Sequence, residues 1–369
     1  MKNIYLDYAA ATPVDKDAFS AALPYYKKLF YNPSSSHACG QIAAAAVERA
    51  REKCAAAINA SPSEIYFTSG GTESVNLAFN SAPKSAHIAV SAIEHDCAAE
   101  CALRHEKNGG TVSRVMPTTD GIVTPEQLKQ AVNRDTGFVC IMAVNNIVGS
   151  IQPVNELATV AHGAGAMFFT DAVQAVNCMD IDVKAWGVDM LALSGHKFYA
   201  PKGVGILYVK KDIKPVPMSV GGEQERGVRA GTLDVPAIVA MGVAIEKAVS
   251  CASEYRAHVK QVSTAFLSEL KYGSPVECAS RADDIVSVSF AEQNVNGGRL
   301  AVALSLGGVC CSVGSACSAG SATPPPALVA MGVERPDCSV RFSFGRQTTI
   351  EHAVKAARVV NRTVERFLK

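Results

Sequence analysis

The sequence predicts an α/β protein in two parts: a large domain built on a mostly parallel sheet with helices on both faces, and a smaller α+β domain. Three observations carry this. Between about Asn59 and Val209, short runs rich in Val, Ile and Phe alternate with helical stretches, as strand–helix–strand units do. After "GGEQERGVRAGTLDVP" that alternation stops and a long helical pattern follows, then strands and a terminal helix. The 369 residues also exceed what one simple core organises.

Taken in order, the opening "MKNIYLDYAAATPVD" has no cationic stretch leading into a long apolar one, so it does not read as a signal peptide. "QIAAAAVERAREKCAAAI" reads as a surface helix with its charges on one side. "EIYFTS", "HIAVSAI", "FVCIMAV", "AMFFTDA", "VDMLALS" and "GILYVK" read as strands of the large sheet. Ala237 to Lys271 reads as one long helix. "DIVSVSF" and "CSVRFSFG" then read as strands, "RLAVALSLGGVCC" as an apolar strand closed by Cys310 and Cys311, and "IEHAVKAARVVNRTVERFLK" as a helix. The boundary falls near Val249, giving a large domain over 14–249 and a small one over 1–13 and 250–369.

Composition narrows the partners. With 35 basic against 34 acidic residues and no cationic run, nucleic acid is not an expected partner. The longest apolar run, "AIVAMGVAI", is far short of a bilayer span, so no membrane is expected. Twelve cysteines without a CxxC pair fit a reducing, cytoplasmic setting in which most are small buried hydrophobes. Cys97 and Cys101, four apart on a helix, read as one buried face rather than a metal site.

The chemistry gathers at strand ends, the edge where ligands bind in open α/β sheets. Lys197 follows a strand in "LSGHKFYAPKG", and a lysine partly desolvated there forms a Schiff base. Asp171 also ends a strand, one strand–helix–strand unit earlier, which places both side chains on one edge. A carboxylate beside a Schiff-base lysine suits pyridoxal phosphate, whose ring nitrogen must stay protonated; the plainer reading, a helix-capping Asp, leaves the lysine unexplained. "TSGGT", with Gly71 and Thr72, offers a helix N-terminus and a hydroxyl to a phosphate. Asn145-Asn146 and His95 finish two further strands, where an amide meets the ring oxygen and an imidazole stacks or moves protons.

With these in place the chain resembles the cysteine desulfurases of the NifS/IscS type, over nearly its full length. The likeness runs through "IYLDYAAATPVD", "NPSSSHACG", "FTSGGTES", "EHD", "VNNIVGSIQP", "TDAVQA", "LSGHKFYAPKGVGILYV", "GGEQERGVRAGT", "SVGSACSAG" and "VRFSFGR". The resemblance implies an aminotransferase-like (fold type I) architecture with a seven-stranded sheet, and pyridoxal 5'-phosphate as cofactor. It implies that Lys197 carries the cofactor, Asp171 pairs with its ring nitrogen, and Gln174 and Asn146 contact the ring hydroxyl. His95 is then the stacking and proton-transfer residue. Gly71, Thr72, Ser194 and His196 hold the phosphate, joined by Thr232 from a second subunit of a homodimer. Arg341, with Asn32, binds the substrate carboxylate. Cys317, in Ser315-Ala316-Cys317, is the nucleophile that takes sulfur from L-cysteine, leaves L-alanine, and passes the sulfur to an acceptor such as an iron–sulfur scaffold protein. No resident metal is implied, only a possible cluster contact through Cys317 in such a complex.

The chain departs from the family's pattern at Glu223 and Ala230, in "SATPPPALV" after the cysteine, and in ending at Lys369 without the tail some relatives have. These bear on the acceptor rather than on catalysis. The rivals are a selenocysteine lyase, a cysteine-sulfinate desulfinase or an aminotransferase on the same fold, the last having no use for the thiol. A rival of another class is a cluster-binding protein using Cys310, Cys311 and Cys317, whose spacing matches no common ligand set.

Overall fold

The computed structural model describes residues 3–84, 86–314 and 323–369. The chain opens with β1 (Ile4–Tyr5), α1 (Lys16–Lys27), α2 (Ala38–Ala57), β2 (Ile65–Thr68) and α3 (Gly71–Ser81). It continues with β3 (His87–Ser91), α4 (Asp96–Lys107), β4 (Thr111–Val115), α5 (Pro125–Ala131) and β5 (Thr136–Cys140). Then come α6 (Val154–Gly163), β6 (Met167–Asp171), α7 (Val183–Trp186), β7 (Met190–Ser194) and β8 (Gly205–Val209). The rest comprises α8 (Val235–Ser250), α9 (Ala252–Glu269), β9 (Ser274–Pro275), β10 (Ile285–Ser289) and α10 (Gly297–Leu306), then β11 (Val309–Cys310), α11 (Pro326–Ala330), β12 (Ser339–Ser343) and α12 (Ile350–Phe367).

The central sheet has seven strands in the order β2-β8-β7-β6-β5-β3-β4. Only β8 runs against its neighbours; the expected mostly parallel α/β sheet is present. "HIAVS", "MLALS" and "GILYV" are buried at every position, as strands covered by helices on both faces must be. β4, "TVSRV", is the polar strand at one edge and lacks the apolar run that marks the others. The C-terminal ends of β2, β3, β5, β6 and β7 share one edge, and every site residue described below lies at or near it.

Two larger cores form. One joins α1, α2 and α8 to one face of the sheet, through Ala46, Val47, Ala50, Met241 and Ile245 among others. The other joins Ile4, Leu6 and Tyr8 to α9, β10, β12 and α12, with Phe266 packed at a tilt against Phe342 and Phe344.

These two cores correct the single helix expected over 237–271. The stretch is two helices bent by 72° at Cys251, whose φ of −103° and ψ of 12° end α8 and start α9. α8 is held by the first core and α9 by the second, so one straight rod cannot serve both. "RLAVALSLGGVCC" is corrected too: it folds as α10, and only Val309–Cys310 is strand. Asn296 caps that helix by accepting the Arg299 N–H, Leu300 and Leu304 bury at helical spacing, and Gly308 at φ +83° turns the chain out. α2 is less a surface helix than expected. It buries eight residues, including Arg51, whose guanidinium grips the carboxylate of Glu225 at 2.7 and 2.8 Å.

Among the described residues no single helix is long and apolar enough to cross a membrane.

Candidate active site

A cavity of about 150 Å³ opens at the carboxyl edge of the sheet. Gly71, Thr72, His95, Asn146, Asp171, Gln174, Ser194, His196, Lys197 and Arg341 all line it. The structure thus brings together ten of the thirteen expected site residues, drawn from the ends of five strands and from β12.

Asp171 ends β6 and is 5% exposed. Burial pushes its carboxyl up, while the Val173 N–H at 2.9 Å and the neighbouring His95 and Lys197 side chains pull it down. Lys197 stands on the 3-10 turn after β7, and its Nζ donates to the carbonyls of Ala9 at 2.6 Å and Ala10 at 3.0 Å. Gln174 Nε2 donates to the same Ala9 carbonyl. The segment after β1 therefore forms a wall of the cavity, a role that nothing in its apolar composition signals.

Gly71 and Thr72 are the first residues of α3, whose N-cap, Gly70, has a φ of +149° and no side-chain cap. A Cβ on Gly71 would come within 2.9 Å of Val173, so the turn fits only with glycine there. Ser194 Oγ and His196 Nδ1 lie 3.0 Å apart beside it, and burial, with Lys197 and Lys202, brings the His196 imidazole down to about 4. His196 is therefore neutral at ordinary pH. The pair Asn145-Asn146 separates by role. Asn145 builds the turn, accepting the Ile147 and Val148 N–H groups and donating to Ile93 O, while Asn146 faces the cavity.

Arg341 is 2% exposed; it donates to Asp7 Oδ1 at 2.9 Å and to Asn146 O at 2.7 Å. Its Nε is buried with no hydrogen-bond partner, which leaves a donor for an acid entering the cavity. Asp7 is a site residue that sequence reasoning missed, although it sits in the quoted "IYLDYAAAT".

Glu94 was also missed. It is buried under the cavity, accepting from Met142 N at 2.7 Å, Ser91 Oγ at 2.8 Å and Cys140 Sγ at 3.6 Å. Burial, with help from Asp171, pushes its carboxyl up to about 8. The folded chain then binds a proton that the unfolded chain, near 4.3, has lost. Stability from this group is present at low pH and falls as pH rises from about 4.5 through about 8. In cofactor-free protein, Glu94→Gln should gain on the parent by up to about 4 kcal/mol between about pH 5 and about pH 9. Thermal unfolding at the two pH values checks it; a constant difference would contradict a protonated Glu94.

Two expected residues are not brought into the cavity. Asn32 is exposed, its Oδ1 taken by the Ser34 N–H. Thr232 is exposed on the loop after β8. Cys317 lies outside the described residues. A second cavity, about 620 Å³, meets the first at His95 and Asn146. Cys311, Ser312, Val313 and Gly314 line it, as do Thr323 to Pro326. Cys310 and Cys311 are half-buried rather than filled in; Cys311 faces this larger cavity, and burial holds its thiol up at about 12. Among the described residues no group of three His, Cys, Asp or Glu is arranged to hold a metal.

The class-V aminotransferase family model matches residues 4–355. A cysteine desulfurase IscS of Dictyoglomus turgidum is 40% identical over 99% of this chain and 95% of its own length. One from Methanosarcina thermophila is 38% identical over 99% and 93%. Among solved structures, a NifS-like protein superimposes with a TM-score of 0.92 at 32% identity, covering 98% of this chain and 99% of that one. SspA in complex with cysteine does so at 0.83 and 34% identity, covering 92% and 98%.

Proposed function

The chain belongs to the class-V aminotransferase family and, within it, to the cysteine desulfurases, and on that premise we propose that it converts L-cysteine to L-alanine and holds the sulfur as a persulfide on Cys317. The observation that carries this is the single cavity holding Lys197, Asp171, His95 and Arg341 together.

The side chains present suit pyridoxal 5'-phosphate. Asp171 is a buried acid that gains from a cation beside it, Lys197 Nζ reaches the same cavity, and the uncapped N-terminus of α3 meets Ser194 and His196 where a phosphate needs donors. When bound, the cofactor supplies an electron sink for the Cα–H and Cβ–S bonds of the substrate. Arg341 binds the substrate carboxylate through donors that Asp7 and Asn146 leave over. Lys197 takes the Cα proton and His95 moves protons near the departing sulfur. The Cys317 thiolate attacks that sulfur: an S–S bond forms, the C–S bond breaks, and the carbon left behind takes a proton, so cysteine plus enzyme thiol gives alanine plus enzyme persulfide. Cys317 is three residues beyond Gly314, a reach of at most about 11 Å, so its tether starts at the wall of the larger cavity.

The protein works as a homodimer on this reading. Supporting it, Phe19, Tyr26, Phe30 and Ile42 are exposed along α1, the turn after it and α2, and such an apolar patch marks an interface. Thr232 then completes the phosphate site of the other subunit. Its loop is braced for reaching out. Glu225 and Arg226 take left-handed backbone conformations, Glu225 accepts the Phe67 N–H at 2.7 Å, and Arg229 pairs with Glu73 at 3.0 Å. The division into 14–249 and 1–13 with 250–369 rests on the two separate cores. Eleven free thiols among the described residues favour the reducing cytoplasm. Delivery to a protein acceptor, such as an iron–sulfur scaffold, is supported by the open larger cavity, whose rim carries exposed Val302.

Protein loaded with pyridoxal 5'-phosphate should release alanine and, with a reductant, sulfide from L-cysteine. Faster turnover of selenocysteine or cysteine sulfinate in competition would reassign the substrate, and a monomer in sedimentation would remove the role of Thr232.

A further inference from the structure

His95 is more than a residue of the cavity wall: it is also the N-cap of α4. The atom that accepts the first free backbone donor of that helix is the ring nitrogen Nδ1, 3.2 Å from Cys97 N. A backbone N–H only donates, so Nδ1 must carry a lone pair there. A second group meets the same nitrogen. Cys97 Sγ lies 3.2 Å from it and also lines the cavity. Burial, then Asp171, pushes that thiol far above its ordinary range, so it keeps its proton and acts as a donor. The positive end of α4 adds to the bias against a proton on Nδ1.

A neutral imidazole carries one proton, and with Nδ1 accepting, it sits on Nε2. We propose that His95 is held as the neutral Nε2–H tautomer, and that Cys97 is the positioning residue that fixes this state. His95 then enters the reaction as a donor through Nε2 and exchanges protons at that atom, while Nδ1 stays locked to the helix. Other groups around the ring act in both directions. Asp171 from β6 favours a positive ring, as do Asp96 on its own turn and Asp337 across the larger cavity, whereas Glu94 keeps its proton. Lys197 after β7 and Arg341 from β12 oppose it, and His196 is neutral. The helix cap decides between the two nitrogens because the Cys97 N–H meets Nδ1 and can only donate. The tautomer follows from the fold, whereas its use in turnover rests on the desulfurase reading.

The test is nitrogen NMR of protein labelled at histidine, loaded with pyridoxal 5'-phosphate, the His95 signals being assigned by their loss in His95→Gln. At neutral pH the proton should be found on Nε2, with Nδ1 unprotonated. A proton on Nδ1, or on both nitrogens, overturns the proposal. In Cys97→Ala the backbone cap remains but one donor to Nδ1 is gone. The pH at which the ring takes its second proton should then rise by about half a unit to one unit. Cys97→Ser, whose hydroxyl donates in place of the thiol, should bring it back. No rise in the alanine variant, or no return in the serine variant, removes Cys97 from the role. These signals need no turnover, so a protein with the expected tautomer but no sulfide release refutes the function and leaves the positioning intact.

Discussion

Protein carrying Lys197→Ala is expected to lose cysteine turnover by a factor of about 10³ or more. Two roles vanish together, the covalent hold on the cofactor and the group that handles the proton at the substrate Cα. The surroundings explain why no neighbour substitutes. The other cavity-lining bases are His95, tied to the start of α4, and His196, tied to Ser194. Of these three bases it is Lys197 whose Nζ is held against the wall formed by Ala9 and Ala10. Lys197→Arg should be nearly as inactive, since a guanidinium keeps its proton at any working pH. Two measurements read this: initial alanine production, and the absorption spectrum of the protein after incubation with pyridoxal 5'-phosphate, in which the lysine-bound band should be missing. Full activity in Lys197→Ala would remove the mechanism.

Cys317→Ser should be almost as severe for sulfur transfer, with sulfide release falling by a factor of about 10² or more, and with a different signature. The cofactor should still bind and the lysine-bound spectrum should be normal, because the cavity residues remain. After brief exposure to cysteine, mass spectrometry should find one added sulfur on Cys317 of the parent protein and none on the serine variant. Cys311 is the natural competitor, since it faces the larger cavity. Its thiol, held up at about 12 by burial, supplies almost no thiolate at neutral pH, so Cys311→Ser should retain most of the activity. Sulfur accumulating on Cys311 in the parent would move the nucleophile there.

The residues that sequence reading found easily are those whose chemistry is unusual at a strand end. Lys197, Asp171 and His95 follow apolar runs that end abruptly, and all three gather at one edge of the finished sheet, with β7 beside β6 and β5 between β6 and β3. What stayed hidden did so for physical reasons. β4 lies at the sheet edge and carries Ser and Arg, so no apolar run announces it. α10 looked like a strand because its Leu, Val and Ala serve both periods over a short window, and the Asn296 cap outweighed that ambiguity. The break at Cys251 has no glycine or proline to mark it; two cores on either side impose it. Asp7 and Glu94 act through partners far away in sequence, Arg341 and Met142, which no local pattern connects.

That last property has a kinetic consequence. The bond from Arg341 to Asp7 spans 334 residues and that from Lys197 to Ala9 spans 188, so the pocket is closed by the two ends of the chain meeting its middle. Contacts so distant form late, after the intervening loops have been gathered in. A nascent or refolding chain can therefore have most of its sheet before it has anywhere to keep a cofactor, and the yellow colour of loaded protein should report the final stage of folding rather than its beginning.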